Sequence, residues 1–280
     1  AHGAFIVNMA STGCGKTLAN ARIMYALARP DGFRCAFALG LRTLTLQTGH
    51  AFRDKLKLGE DQLAIRVGGA ASRELFEQQA KDAKKVEETE TTAEATGSAS
   101  SEALLDADSA IHFEGNPDHP LLQQLSHDPR FNALLAAPLL VCTIDHLTPA
   151  TEGTRGGRQI APMLRLLSSD LVLDEPDDFD IADLHAVCRL VNWAGMLGSR
   201  VLLSSATLAP DLIQALFAAY LAGRRVWQAS CGVSDRPVNI CCAWFDEYGA
   251  QSQDVADDAQ FRQAHGDFVR QRIKHLPDQP

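Results

Sequence analysis

The 280-residue sequence has no Cys-x-x-Cys pair, no internal repeat, no excess of basic residues and no long apolar run. Its seven cysteines (Cys14, Cys35, Cys142, Cys188, Cys231, Cys241 and Cys242) are odd in number and scattered. That pattern excludes a disulfide framework or a zinc ribbon and predicts free thiols in a reducing cytoplasm. The adjacent Cys241 and Cys242 would point to opposite faces of a strand. Because no apolar run reaches the roughly 18 residues of a bilayer span, no membrane partner is expected. The first apolar stretch is also too short for a signal peptide. A net charge of −9 leaves no broad basic surface, so any nucleic-acid contact must be local. No methionine opens the chain and the first strand starts within a few residues, which predicts a piece of a longer polypeptide. What is present, 46% hydrophobic and 22% charged residues, suits a globular protein with one large domain or two small ones.

Short apolar runs alternate with helical patterns, the layout of an α/β fold with a mostly parallel central sheet covered on both faces. The expected strands are Ala4–Met9, Arg34–Leu39, Leu63–Val67, Leu139–Thr143, Leu171–Asp174 and Val201–Ser204. The expected helices are Thr17–Ala28, Thr43–Leu56, Gln159–Leu167, Ile181–Met196 and Asp211–Ala222, with a turn at Arg29–Gly32. Two regions break the rhythm. Residues 78–120 are rich in Glu, Asp, Ala, Ser and Thr, and read as a solvated, low-complexity acidic insertion. From Val226 onward, a strand at Val238–Phe245 and an amphipathic helix at Phe261–Leu276 flank a polar, acidic loop, Asp246–Asp258. The organisation this suggests is a main domain over 1–225, with 226–280 as its last edge and a connector.

The segment Ala10-Ser11-Thr12-Gly13-Cys14-Gly15-Lys16-Thr17 lies between the first apolar run and the first helical stretch. That is the strand–loop–helix setting of a phosphate-binding loop. Gly13 and Gly15 allow a tight fold in which successive N–H groups converge on phosphate oxygens, helped by the helix N-terminus. Lys16 would reach the β- and γ-phosphates of ATP and the Thr17 hydroxyl would hold Mg²⁺. The first glycine of the usual pattern is Ala10 here.

A second signal is the apolar strand that ends in Asp174-Glu175-Pro176-Asp177. Acids at a strand's carboxyl end stand where a parallel sheet places its site. Asp174 would hold Mg²⁺ and Glu175 would polarise the attacking water. Taken alone, the run also reads as a solvated acidic loop. Ser205-Ala206-Thr207 follows the next strand, and its hydroxyls can bond Asp177 and report the state of the phosphate site. In isolation it reads as a helix cap before Pro210.

In this order the three motifs resemble motifs I, II and III of the DExD/H-box superfamily 2 helicases. Leu41-Arg42-Thr43-Leu44-Thr45-Leu46-Gln47 resembles motif Ia, Gly68-Gly69 the family's glycine doublet, and Thr143-Ile144-Asp145-His146-Leu147 motif Ib. The resemblance spans Ala4 to Ala222 and implies a three-layer RecA-like P-loop NTPase lobe. Within the superfamily, Leu-x-x-Gln, Thr-Ile-Asp-His and Asp-Glu-Pro-Asp-Asp-Phe-Asp look most like the CRISPR-associated helicase-nucleases of type I systems, and closest to the I-F branch. This implies an ATP-driven motor on single-stranded DNA, recruited by an RNA-guided surveillance complex and joined to an HD nuclease domain. It also marks a surface on which phage-encoded inhibitors would act. Arg42, Thr43, Gln47, Gly68, Gly69, Thr143 and His146 become the candidate nucleic-acid contacts, tracking the backbone without reading bases. For Thr43 and Thr143, plain helix capping explains the residue type equally well.

Two family features are missing. His127-Asp128 precedes Pro129 in a turn-like stretch, with only His112 and His119 nearby, so the nuclease is expected elsewhere in the parent chain. No Gln-x-x-Gly-Arg-x-x-Arg run follows Thr207. Arg224 with Arg225, and Arg270 with Arg272, read as solvated helix faces, so arginine fingers are expected from a second RecA-like lobe. The alternatives are another superfamily 2 motor (an RNA helicase or a restriction translocase) and a non-catalytic docking module.

Overall fold

The computed structural model describes residues 3–28, 32–68, 112–116, 129–152, 159–179 and 184–275. Residues 29–31 of the expected turn at Arg29–Gly32, most of the acidic insertion, and His127-Asp128 lie outside the described residues. Among the described residues, nine strands form one sheet in the order β4-β3-β5-β2-β6-β7-β1-β8-β9. They are β1 Ala4–Asn8, β2 Cys35–Leu39, β3 Leu63–Val67, β4 His112–Glu114, β5 Leu139–Thr143, β6 Asp170–Asp174, β7 Val201–Ser204, β8 Ile240–Phe245 and β9 Ala250–Val255. The seven inner strands run parallel and only the edges, β4 and β9, run antiparallel to their neighbours.

The expected α/β architecture is what the chain adopts. β1, β2, β3 and β5 are buried at every residue, which is why they read as unbroken apolar runs: both faces of a parallel sheet are covered. On one face α1 (Lys16–Ala26) and α2 (Arg42–Leu56) pack Met24 and Phe52 against Ile6, Phe37 and Ile65. On the other lie α3 (Pro129–Leu135), α4 (Ile160–Ser168), α5 (Leu184–Leu197), α6 (Pro210–Cys231) and α7 (Asp258–His275). They bury Leu134, Leu166, Leu190, Phe217 and Phe261 against Phe5, Leu140, Leu171 and Trp244.

The sequence expectations are adjusted at three places. The division at 225 falls inside α6, and the chain after it joins the same sheet as the expected last edge: β8 runs parallel to β1, with Asn8 opposite Phe245. The Phe261 ring of α7 stacks on Phe217 at 3.9 Å, so this helix belongs to the same core. The polar loop Asp246–Asp258 holds the edge strand β9, reached through a turn in which Asp246 Oδ1 accepts the N–H groups of Tyr248 and Gly249. One side of an edge strand faces water, so Ala-Gln-Ser-Gln-Asp-Val carries no apolar alternation to announce it. Finally, the end of the acidic insertion is ordered as β4, which is pinned to α2 through Glu114. His112, His50 and Arg53 all converge on that carboxylate. Despite partial burial, those donors hold its pKa down to about 2. Among the described residues, no helix is long and apolar enough to cross a membrane.

Candidate functional site

β1 sits between β7 and β8, and the chain leaves it at the carboxyl edge of the sheet. Met9 N–H still donates to Phe245 O (2.8 Å), and Ala10 N–H then turns to Asn8 Oδ1 (3.2 Å). Cys14 N–H closes a turn onto Ser11 O at 3.2 Å. Gly13 and Gly15 have φ of 85° and 82°, left-handed values that a side chain would strain. Thr12, Gly13, Cys14 and Gly15 are exposed, whereas Lys16 is buried where α1 begins and Thr17 is half-buried. The bond from Ala19 N–H to Gly15 O opens the helix, so the amides before it face the loop. Thr12 to Gly15 thus form an exposed cradle, with the buried cation Lys16 at its base.

Asp174 ends β6 opposite Leu39 and Ser204, and beside it Asn20 Nδ2 donates to its Oδ1 at 3.4 Å. Asn20 Oδ1 in turn accepts from Asn8 Nδ2 at 2.7 Å. A chain of two asparagines therefore runs from the loop's Ala10 amide to the Asp174 carboxylate. Burial pushes the Asp174 pKa up to about 6; the Ser204 hydroxyl opposes this, the Glu175 charge adds to it and Lys16 again opposes. Glu175 adopts a left-handed backbone (φ 51°) with its N–H on Ser204 O at 2.7 Å. Its side chain reaches back to Lys16, with Nζ to Oε1 at 3.1 Å. Thr207 Oγ1 donates to Asp177 Oδ2 at 2.5 Å, and Ser205 Oγ accepts the Thr207 N–H at 3.2 Å. Three sequence motifs far apart in the chain therefore meet at one edge of the sheet.

The candidate nucleic-acid residues divide into two groups. On α2, Thr43 and Gln47 stand one turn apart and exposed, with Arg42 half-buried beside them. Thr143 and His146 are buried. Thr143 Oγ1 accepts the Gly68 N–H at 3.1 Å, which ties β5 to the end of β3. Burial lowers the His146 pKa to about 4, with Asp145 and a backbone bond at Val67 opposing and Arg66 adding, so the ring is neutral near pH 7. A Cβ on Gly68 would strike the Asp145 carboxylate, so the glycine is there to let Asp145 approach. Gly69 lies outside the described residues.

The reading of the arginines as solvated also needs revision. Arg225 and Arg270 are exposed, but Arg224 is buried, with its guanidinium 4.0 Å from the Trp227 ring centre. Arg272 is buried as well: its Nη2 lies 3.2 Å from Ser11 Oγ and 3.4 Å from both Glu247 carboxylate oxygens. Glu247 itself accepts from the Ser11 amide (Oε2, 3.2 Å) and hydroxyl (Oε1, 2.5 Å). Sequence reasoning missed Asn8, Asn20, Glu247 and Arg272. Asn20 had a signal, a polar residue one turn after Lys16; Glu247, inside an acidic stretch, had none.

No family model matches the chain. Among proteins of known function, it is 55% identical over 281 aligned residues to the CRISPR-associated nuclease/helicase Cas3 subtype I-F/YPEST of Pseudomonas aeruginosa (strain UCBPP-PA14), covering 100% of this chain and 25% of that protein. It is 54% identical over 277 residues to the corresponding protein of Pectobacterium atrosepticum, covering 98% of this chain and again 25% of the relative. Two T. fusca Cas3 structures align with 84% of the chain: Cas3-ATP at TM-score 0.49 and 20% identity, covering 22% of that chain, and Cas3 at 0.45 and 24%, covering 23%. By sequence, then, the chain is similar over its whole length to a segment of the subtype I-F/YPEST Cas3 nuclease/helicases and spans about a quarter of theirs.

Proposed function

We propose that this chain is the ATP-binding and ATP-hydrolysing lobe of a single-stranded DNA translocase within a CRISPR nuclease/helicase. The observation that carries the reading is the Lys16–Glu175 contact, which joins the phosphate loop to the acidic motif beside a buried Asp174. A triphosphate would take Lys16 from Glu175: its γ-phosphate offers more negative charge than one carboxylate, and the loop amides add donors. Freed of its partner, Glu175 accepts a hydrogen bond from the water that attacks the γ-phosphorus.

The residues also fit a divalent cation. Asp174 is buried beside a second carboxylate; burial first, and the Glu175 charge after it, raise its pKa, a cost to the ionised form that a bound cation would offset. Asp174 and the Thr17 hydroxyl would hold Mg²⁺, which supplies charge neutralisation across the phosphate oxygens. Asn20 keeps Asp174 oriented, and the Asp177–Thr207–Ser205 bonds link the acidic motif to β7, along which occupancy would be felt.

The exposed Thr43 and Gln47, with Arg42, form the surface proposed to follow a DNA backbone. Arginine fingers, the HD nuclease and the recruiting RNA-guided complex would come from other parts of the assembly. The test is equilibrium binding of a fluorescent ATP analogue with Mg²⁺. Micromolar binding that Lys16→Ala abolishes is expected; equal binding by both proteins overturns the reading. In the parent motor, unchanged activity of Glu175→Gln would favour a docking role. ATPase stimulation that depends on the 2′-OH of the strand would favour an RNA motor.

A further inference from the structure

A bridge between the last described helix and the phosphate loop is left over once the nucleotide site is accounted for. It exists because β8 lies in parallel register with β1: both strands leave the sheet at the same edge, Asn8 beside Phe245. A few residues on, Ser11 and Glu247 face each other. The Glu247 carboxylate takes both donors of Ser11, and Arg272 from α7 clamps the pair from the far side. Desolvation opposes the charge on Glu247, but the Ser11 bonds and Arg272 outweigh it, and the carboxyl is held below its ordinary pKa. The helix that carries Arg272 is itself fixed. Phe268 packs against Trp244, His275 lies 5.3 Å from the Tyr248 ring, and Gln271 bonds Gln251 of β9.

Ser11 lies on the arm of the loop that precedes Gly13. Glu247 uses the Ser11 amide and none of those from Gly13 onward, which the nucleotide reading assigns to a triphosphate. We infer that Glu247 and Arg272 are positioning residues for the phosphate loop: they hold the Ser11 arm in place so that the cradle is formed before nucleotide arrives. The pre-organised cradle then binds nucleotide without the cost of ordering a free loop. Nucleotide affinity would therefore depend on α7, the element most remote in sequence from the loop it serves. This inference rests on the nucleotide reading above.

The experiment pairs two readouts on the chain and on Glu247→Gln, Ser11→Ala, Arg272→Met and Arg272→Lys. One is the Kd of a fluorescent ATP analogue with Mg²⁺. The other is amide hydrogen exchange of the loop without nucleotide. A glutamine can accept from Ser11 through one oxygen only and loses its charge attraction to Arg272. Glu247→Gln and Arg272→Met should raise Kd about tenfold, the loss of one charge-assisted bond, and speed exchange over residues 10–15. Arg272→Lys should restore part of both, and Ser11→Ala, a small change on a half-exposed residue, should weaken binding by a lesser factor. A lower melting temperature with unchanged Kd and unchanged loop exchange overturns the inference, because the bridge then only packs α7. Tighter binding by Glu247→Gln overturns it too, since the carboxylate would then be repelling phosphate. If the unaltered chain binds no nucleotide, the nucleotide reading fails. The exchange data alone then decide whether the bridge orders the loop.

Discussion

Charge is buried at both ends of the central sheet, but it is satisfied in opposite ways. At the amino edge, the Arg165 guanidinium is fully buried and donates to four carbonyls: Ala137 and Cys35 at 2.6 Å, Pro138 at 2.8 Å and Leu134 at 3.3 Å. Burial brings its pKa down to about 9, so it stays charged at neutral pH while backbone carbonyls hold it. At the carboxyl edge, Lys16, Asp174 and Glu175 lean on one another, and the Asp174 carboxyl is shifted toward its neutral form. A cation enclosed by neutral acceptors that the fold supplies is a staple. Carboxylates crowded together with a single lysine make a site that gains from a ligand. The difference separates stability from function within one layer of secondary structure.

The largest effect expected is at the staple. Arg165→Met should cost about 3–5 kcal/mol by chemical denaturation, because several buried carbonyls lose their donor together. The folded fraction should bind nucleotide as before. A cost under about 1 kcal/mol would break the comparison. Next is Lys16→Ala, expected to raise the Kd for Mg-nucleotide about 100-fold while shifting Tm by no more than about 2 °C. A large Tm drop would make Lys16 a staple as well.

Third is Asp174→Asn. The folded-state pKa is raised above its unfolded value, so the ionised carboxyl destabilises the ligand-free fold. The chain is free of that penalty below about pH 4 and acquires it as pH rises through about 6. The variant should therefore be more stable than the unaltered chain by about 2 kcal/mol at pH 7.5 and by little at pH 4. Denaturation curves across that range check the sign. Mg-nucleotide binding by the unaltered chain should weaken as pH falls below about 6, and the variant should lose this dependence. The smallest effect is at Thr207, whose bond to Asp177 is exposed. Thr207→Val should change stability by about 0.5–1 kcal/mol and basal affinity by no more than about twofold.

Much of this arrangement was legible in the sequence, for physical reasons. Strands such as Phe5–Val7 and Leu171–Leu173 are covered on both faces and so read as unbroken apolar runs, and the loop glycines and the acids after β6 stand at fixed distances from them. What escaped notice depends on reach. Arg165, Arg224 and Arg272 are long, charged and helical, which on pattern alone suggests solvent; each is buried because a distant element closes over it. For Thr143 and His146, motif position said nothing of the Gly68 amide that occupies one or of the packing that neutralises the other. β4 and β9 were invisible because edge strands need little apolar surface.

The placing of β1 has a consequence for how the chain acquires its shape during synthesis. Phe5 pairs with Val201 on one side and Cys242 on the other. The strand that launches the phosphate loop is made well before either of its hydrogen-bonding neighbours, β7 and β8, follows. Until then β1 is an apolar segment with two open edges, and closing its pairing spans nearly the whole sequence, the slowest kind of contact to form. The half built around β2, β3 and β5 can assemble earlier from nearer partners. Ribosome-bound chains that stop short of residue 201 should therefore fold that half while leaving β1 open to protease, which makes the phosphate loop one of the later parts of this fold to become native.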